Sequence, residues 1–369
     1  MTCKYFGLCA SCKLYDISYD EQLKQKYEHI KNDFAEFFDG EIELFNSFES
    51  RFRNRAEFGI FHHDDDNFSY VMRGFDKGRV FIDSCEIVDD FISVSMDGLK
   101  TKISRNQILK QKLFGIEFLS NGMGEVLAVL VYHKKLDLHW IEAAHELCTD
   151  TAVKIIGRSK GQRVVIDSDF VTVKNEVGNK SFSMRQVEGA FSQPNGGVNT
   201  KMLGWAYSKL QNISGDLLEL YCGSGNFTIA NAGLFDKVFA TEISTSLINI
   251  AKINAESNGI ENITFARLSA AETAEAISGV REFNRLHGVN LAGFNFSTIF
   301  VDPPRAGLDE ESLKLSQKFD NILYISCSPE SLNRDLKELS KTHRAEAFAM
   351  FDQFAYTHHL ECGIFLRRI

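Results

Sequence analysis

The sequence predicts an α/β protein in which a β-rich α+β domain precedes a doubly wound parallel sheet. Beyond residue 180, strand-like apolar runs alternate with helical segments, the pattern of a doubly wound sheet. Before it, short strands follow one another, separated by turns such as Asn121-Gly122. A chain of 369 residues also exceeds the usual size of one core. We therefore divide it into a Cys-rich loop and helix (1–40), a β-rich domain (41–180) and the doubly wound domain (181–369).

The composition is that of an ordinary globular protein, with 44% hydrophobic and 25% charged residues. The longest clear apolar run, residues 126–132, is shorter than the roughly 18 residues of a membrane span. The N-terminus has no apolar export segment, so we expect a cytoplasmic protein without membrane contact. Eight cysteines in such a chain favour free thiols, metal ligands or catalysis over disulfides.

The first half opens with three cysteines, Cys3, Cys9 and Cys12, and a helix is predicted over 20–38 from its apolar spacing. Three thiols are one short of a four-thiolate site, and Cys85 is the candidate for the fourth. The other elements predicted here are a helix over 138–151 and strands over 58–61, 68–72, 79–82, 114–119, 125–132 and 164–166.

The net charge of −9 argues against a generally basic nucleic-acid-binding protein, but it leaves room for a local basic face. Arg51, Arg53 and Arg55 alternate along a predicted strand, which would place them on one side. A second basic segment has no acidic residue and contains Lys100, Lys102, Arg105, Lys110 and Lys112. Both are either solvated faces or phosphate contacts.

The second half carries a predicted helix over 199–211 and five predicted strands. The first strand begins at residue 217 and leads through a Gly-rich turn into a helix by residue 227. The other four strands are predicted over 237–242, 262–267, 297–304 and 321–326.

One cysteine, Cys327, follows the fifth strand just ahead of a proline. Open α/β sheets place their chemistry at the carboxyl ends of the strands. Cys327 is therefore a candidate for a reactive thiol, although an isolated cysteine could equally be a packed core residue.

The Gly-rich turn 223–225 favours a nucleoside cofactor, because glycines let the backbone approach a ligand closely. Glu242, at the tip of the next strand, can accept hydrogen bonds from ribose hydroxyls. The third glycine of a dinucleotide fingerprint is replaced by Thr228, which argues against NAD and hence against a dehydrogenase. With Asp302 at the fourth strand end, the acidic rim favours a cationic adenosyl cofactor. A helix-capping role of Glu219 and Asp302 is the alternative.

Four separated stretches then resemble the RNA uracil-5-methyltransferase family: LLELYCGSGNFTIA, TIFVDPPRAGL, YISCSPESL and FDQFAYTHHLECGIFL. They span residues 180–369 in the family's order and spacing. VREFNRLHGV, VYHKKLD and RQVEGAFSQPN resemble the TrmA-type, tRNA-modifying branch, and RFRNRAEFGI extends the resemblance into the first half.

The resemblance implies a Rossmann-like methyltransferase domain behind an RNA-binding β-rich domain. It implies S-adenosyl-L-methionine as cofactor and methylation of uridine C5, at position 54 in the tRNA T-loop for the TrmA-type branch. The implied partner is the tRNA T-arm, with other T-loop-like RNA as a further candidate and no obligate protein partner. The implied site consists of the nucleophile Cys327, the general base Glu361, and the cofactor-binding residues Gln193, Tyr221, Asn226, Glu242 and Asp302.

The reaction requires these residue types. Uracil C5 is too weakly nucleophilic to take a methyl group until a thiolate adds to C6. After transfer, a carboxylate such as that of Glu361 can remove the C5 proton and release the thiolate.

Three departures from the family pattern accompany this resemblance. Ser328 stands where an asparagine is usual, and Ala355 where a proline is usual. CKYFGLCASC together with Cys85 resembles the 4Fe-4S ligand set of the rRNA-modifying members, although zinc or unliganded thiols remain alternatives. A 23S rRNA uracil-5-methyltransferase and a non-catalytic RNA-binding or folding protein are therefore the alternative functions.

Overall fold

The computed structural model describes residues 1–64 and 67–369. After turns that carry the first cysteines, the chain forms helix α1 (Tyr19–Asp33) and strand β1 (Glu43–Phe45). Helix α1 begins at Ser18, whose hydroxyl accepts the Glu21 backbone N–H at 3.2 Å. It ends five residues before the predicted limit because Phe34 leaves the helical conformation and its ring packs 5.0 Å from that of Phe348.

The N-terminal sheet is built from β2 (Arg55–His62), β3 (Phe68–Arg73), β4 (Arg79–Ile82), β5 (Leu113–Ser120), β6 (Val126–Tyr132), β7 (Lys154–Ser159) and β8 (Gln162–Val165). Their order is β4-β3-β2-β5-β6-β7-β8. Neighbouring strands are antiparallel except β6 and β7, which are parallel.

Three helices pack on one face of this sheet: α2 (Asp90–Ser104), α3 (Gln107–Lys110) and α4 (Leu138–Thr151). Their apolar side chains form one core with the sheet, around the fully buried Trp140. The other face is covered in part by a hairpin of β9 (Phe170–Val177) and β10 (Lys180–Val187), through a smaller apolar cluster.

The C-terminal sheet contains β1 and seven further strands: β11 (Asp216–Leu220), β12 (Val238–Glu242), β13 (Ile263–Arg267), β14 (Phe296–Val301), β15 (Asn321–Ser326), β16 (His343–Phe351) and β17 (Glu361–Arg368). Their order is β1-β16-β17-β15-β14-β11-β12-β13. The strands from β15 to β13 are parallel, whereas β17 runs antiparallel to both neighbours.

Helices connect and cover these strands: α5 (Gly196–Leu210), α6 (Asn226–Asn231), α7 (Thr245–Ser257), α8 (Ala270–Ile277), α9 (Glu310–Ser316) and α10 (Pro329–Leu339). Short 3-10 turns lie at Ala232–Leu234, Asn284–Leu286 and Leu291–Gly293. The strands of the parallel core are largely buried on both faces, and β15 is buried throughout. Parallel strands covered by helices on both faces are continuous apolar runs in the sequence. This is why these strands could be predicted.

The predicted fold class is confirmed: a doubly wound α/β domain follows a β-rich α+β region. The predicted division at residues 40 and 180 remains a prediction, and β1 pairs with β16 in the C-terminal sheet. Within the described part of the chain, no helix is both long and apolar enough to cross a membrane.

The strand predicted through Arg51, Arg53 and Arg55 is wrong, although the three arginines do lie on the less buried side of this segment, alternating with the buried Phe52 and Asn54. Strand β2 begins only at Arg55, and Arg51 has a positive φ of 58°. Arg51 pairs with Glu86 at 3.0 Å and with Asp90 at 3.3 Å, so its charge is neutralised within the fold. Arg51 and Arg53 are both half-buried, so neither stands on an open basic face.

Candidate active site

The Gly-rich turn after β11 bends the chain sharply between strand and helix. Tyr221, Gly223 and Gly225 all have positive φ, of 60°, 55° and 88°. For a tyrosine this conformation costs about 1–3 kcal/mol and persists only where the surroundings hold it. The Cys222 N–H, which donates to Thr241 O at 3.0 Å, provides part of that restraint. At Gly225, the φ of 88° is one that side chains rarely adopt and an added Cβ would lie 3.1 Å from Ile229, so both effects favour glycine here.

The turn is fixed to the neighbouring strand and helix by polar side chains. Glu242, the last residue of β12, accepts the Gly223 N–H at 3.3 Å through one carboxylate oxygen and the Ser244 N–H at 2.9 Å through the other. The side-chain amides of Asn226 and Asn199 exchange two hydrogen bonds, of 2.9 and 3.2 Å. Both candidate cofactor ligands on this rim are therefore held in defined orientations.

A cavity of about 520 Å³ opens at the carboxyl ends of the parallel strands. Its size suits a nucleoside ligand, since small-molecule sites usually measure roughly 300–1,000 Å³. The structure brings all seven predicted catalytic and cofactor-binding residues to this one cavity: Gln193, Tyr221, Asn226, Glu242, Asp302, Cys327 and Glu361. Their individual roles remain predictions.

Two buried carboxyl groups, those of Glu219 and Glu361, and the half-buried one of Asp302 line the same cavity. Burial raises the pKa of Asp302 to about 7 and that of Glu219 to about 8. Burial, and then the charge of Asp302, raise the pKa of Glu361 well above its ordinary value, and only 3% of Glu361 is exposed. Glu219 Oε2 has no hydrogen-bond partner among the described residues. A cationic ligand would stabilise the ionised forms of these groups, so the cavity fits the sulfonium of S-adenosylmethionine.

Cys327 directly follows β15 and is half-buried at the cavity wall. Burial, followed by the nearby Glu361 and Asp302, raises the pKa of its thiol to about 11, while Arg305 opposes this shift. At neutral pH the thiol of the free protein is therefore mostly protonated, and a bound cation would favour the thiolate.

Alkylation of Cys327 should accelerate with pH as a result. Only the thiolate reacts, and its fraction grows tenfold per pH unit below the pKa, so the rate with iodoacetamide should rise about 30-fold between pH 7.5 and 9. Mass spectrometry of the Cys327 peptide measures this rate, with Cys327→Ala as the blank. A flat profile would contradict the raised pKa.

Two cavity residues escaped the sequence interpretation. Phe191 is 69% exposed beside Gln193, and Arg305 follows the Asp302-Pro-Pro turn. Phe191 lies in RQVEGAFSQPN and Arg305 in TIFVDPPRAGL. Their proximity in sequence to the predicted ligands Gln193 and Asp302 is the feature that could have identified them. Gln353 donates to Gln193 Oε1 at 3.0 Å, a buried contact between segments 160 residues apart, which local sequence patterns do not reveal.

The four N-terminal thiols meet at a second cavity. Cys3, Cys9, Cys12 and Cys85 all line a space of about 380 Å³, together with Arg53. Burial raises the pKa of Cys12 to about 12, and the thiols of Cys85, Cys9 and Cys3 add to the shift. In the part of the chain that the structure describes, no group of three or more His, Cys, Asp or Glu side chains has the arrangement of a metal site. The sequence predicted these four cysteines as one set, and all four line this cavity.

Comparison with known proteins adds the family context. A family model described as tRNA (Uracil-5-)-methyltransferase matches residues 18–369. The chain is 47% identical over 369 residues to a tRNA/tmRNA (uracil-C(5))-methyltransferase of a Nitratiruptor species, covering 100% of both chains. It is 45% identical over 358 residues to a protein of the same name from Acinetobacter baumannii, covering 95% of this chain and 99% of that one.

Among solved structures, the fold is similar to that of the Pyrococcus abyssi tRNA (uracil-54, C5)-methyltransferase in complex with S-adenosyl-L-homocysteine. The TM-score is 0.73 at 24% identity, over 97% of this chain and 86% of that one. At this identity the likeness concerns the fold alone.

Proposed function

Because the chain belongs to the tRNA (uracil-5-)-methyltransferase family, we propose that it methylates C5 of uridine 54 in the tRNA T-loop through a covalent Cys327 adduct. Membership of this family makes the protein an S-adenosylmethionine-dependent tRNA uracil-5-methyltransferase. The observation that supports the residue roles best is the convergence of Cys327, Glu361 and the candidate cofactor ligands on one cavity. A tRNA substrate also favours a cytoplasmic location.

In the proposed reaction, Cys327 acts first and Glu361 acts last. The Cys327 thiolate adds to uracil C6, and the electron pair of the C5–C6 double bond moves toward the O4 carbonyl as an enolate. Bound S-adenosylmethionine would supply a methyl group on a positively charged sulfur, the electrophile that C5 requires. The C5 carbon of the enolate bonds to this methyl group as the methyl–sulfur bond breaks, which leaves S-adenosyl-L-homocysteine. The ionised Glu361 then removes the C5 proton, the double bond forms again, and the thiolate leaves.

Methylation of purified tRNA tests the function. Wild-type protein with radiolabelled S-adenosylmethionine should place one methyl group on each unmodified tRNA, recovered as 5-methyluridine. A transcript with cytidine at position 54 should remain unlabelled. Labelling of 23S rRNA instead would support the rRNA alternative, and tRNA binding without labelling would support the non-catalytic one.

The second basic segment, from Lys100 to Lys112, is the proposed source of phosphate contacts, although not all of its basic side chains are free to make them. Lys102 pairs with Asp150 at 2.7 Å, and Lys110 is buried. Arg105 and Lys112 are exposed, and Lys100 is partly exposed. Unstacking the target base costs a few kcal/mol, which such contacts would offset.

Reversing the charges of Lys100 and Arg105 should weaken tRNA binding and lower its salt dependence. Each lost phosphate contact reduces the slope of log K against log salt by about 1. Filter binding at several salt concentrations measures this slope. The matched control reverses the exposed Lys24 and Lys337, and an unchanged slope in the test variant would identify 100–105 as an ordinary solvated face.

We further propose that the four-cysteine cavity holds a 4Fe-4S cluster with a structural role. Four thiolates bound to one ion crowd around it, whereas a four-iron cluster spreads them over four irons. The cavity of about 380 Å³, whose lining includes the four thiols, leaves room for the larger group, and Arg53 in the same lining would offset its negative charge. Such a cluster would connect the first turns to Cys85 and lie outside the Cys327 cavity.

Anaerobically purified protein should then be brown, with broad absorbance in the blue. Cys85→Ser should bleach it and expose residues 1–40 to protease, because one of the cluster's attachments to the fold is lost. The control is Cys148→Ser, at a half-buried thiol on α4. Colourless, iron-free protein with full activity from an anaerobic preparation would exclude the cluster as a required component.

A further inference from the structure

The candidate general base, Glu361, directly follows a loop between two paired strands. Glu361 is the first residue of β17 and pairs with Phe351, the last residue of β16. The nine residues 352–360, here called the base loop, close the gap between them. Since Glu361 is the residue at which this loop re-enters the sheet, the position of its carboxyl depends on how the loop ends are held.

A buried lysine from the other end of the chain holds both ends of the base loop. Lys26 Nζ lies 2.6 Å from Asp352 Oδ1, 3.3 Å from Phe354 O and 3.2 Å from His359 O. An ammonium group has three hydrogens, so these three acceptors use its whole donor capacity. Asp352 is the first residue of the loop, and His359 stands two residues before Glu361.

The contact is enclosed and has further support. The side chains of Lys26 and Asp352 are 6% and 1% exposed. The second oxygen of Asp352 accepts the Tyr19 hydroxyl at 2.7 Å, and Tyr356 N–H in the same loop donates to Gln22 Oε1 at 3.1 Å. Lys26, Tyr19 and Gln22 all belong to helix α1, so this helix holds the base loop in position.

We propose that Lys26 is a positioning residue for the candidate base Glu361, and that it acts by binding both ends of the base loop. This inference rests on the role proposed above for Glu361. Stability alone is a weak explanation for the ion pair, because packed apolar residues usually stabilise a fold as well as a buried pair does. An apolar side chain could fill the same space, but it could not bind a carboxylate and two carbonyls at once.

The test separates adduct formation from adduct release. Lys26→Met alone would leave Asp352 as an unpaired buried charge, so the main variant is Lys26→Met/Asp352→Asn, which removes both charges. It should still form the covalent protein–tRNA adduct and bind S-adenosylmethionine within a few fold of wild type. Adduct decay should slow by about 100-fold, the order expected when a catalytic group is misplaced by about 1 Å.

Single-turnover reactions, sampled on denaturing gels, follow both steps. The matched control is Lys24→Met, an exposed lysine two residues away on the same helix, which should behave as wild type. Thermal melting shows whether each variant is folded. Tyr19→Phe is the second variant. It keeps both charges and removes one hydroxyl, which donates to Asp352 at 2.7 Å and accepts the Ser47 N–H at 2.8 Å, and it should slow decay several-fold.

The outcomes are distinguishable. The inference is overturned if the folded double variant releases tRNA at the wild-type rate. If the double variant does not fold, release at the wild-type rate by Tyr19→Phe overturns it. Glu361→Gln is measured in parallel as the reference for a blocked base. If Glu361→Gln also releases tRNA normally, the proposed role of Glu361 fails, independently of Lys26.

Discussion

Cys327→Ala is expected to abolish both turnover and the covalent protein–RNA adduct, while S-adenosylmethionine still binds within a few fold of wild type. Without the thiolate, uracil C5 stays too weak a nucleophile, and loss of a covalent nucleophile lowers a rate by about 10⁶-fold. The side chain lies at the wall of the cavity and removal of one sulfur atom leaves the strand end in place.

The measurements are methyl transfer to tRNA, gel-resolved adduct and cofactor binding by calorimetry. Cys148→Ala provides the matched control, because that half-buried thiol is on α4, outside the cavity. Turnover near the wild-type rate in Cys327→Ala would refute the nucleophile assignment. Loss of cofactor binding together with turnover would instead indicate a collapsed site.

Glu361→Gln is expected to form the adduct and fail to release it. Glutamine has nearly the same shape, so the buried position can be filled, but the amide cannot accept the C5 proton. In the wild type, the raised pKa of Glu361 means that its basic form becomes more populated as pH rises. Adduct release should therefore accelerate with pH in wild type and lose this dependence in the variant.

RNA trapped on denaturing gels measures this effect, and single-turnover methyl transfer should remain close to wild type. Glu338→Gln, at an exposed carboxyl on α10, is the control and should release tRNA normally. If Glu361→Gln is folded but forms no adduct, Glu361 would act before methyl transfer.

Much of the site was predictable because its signals are local. The strand ending at Cys327, the turn around Gly225 and the Asp302-Pro-Pro strand end each lie within a dozen residues, where apolar periodicity and turn chemistry identify them. The parallel strands of a doubly wound sheet end at one edge, so these separate local signals together predict a common site at that edge.

Other features depend on which distant segments meet. Arg51 looks like a member of an exposed stripe by spacing, yet it is paired with Glu86 in the fold. The strand β9 shows alternating burial but was not predicted, and β1 is only three residues long and exists through its pairing with β16.

The sequence alone determined the fold class, the end of the strand that carries the thiol, and the residue types that the reaction needs. Only the tertiary structure decided that Lys26 binds Asp352, 326 residues away, and that Gln353 donates to Gln193, 160 residues away. The physical reason is that periodicity reports which face of an element is buried, whereas the partner across that face is chosen by packing of the whole chain.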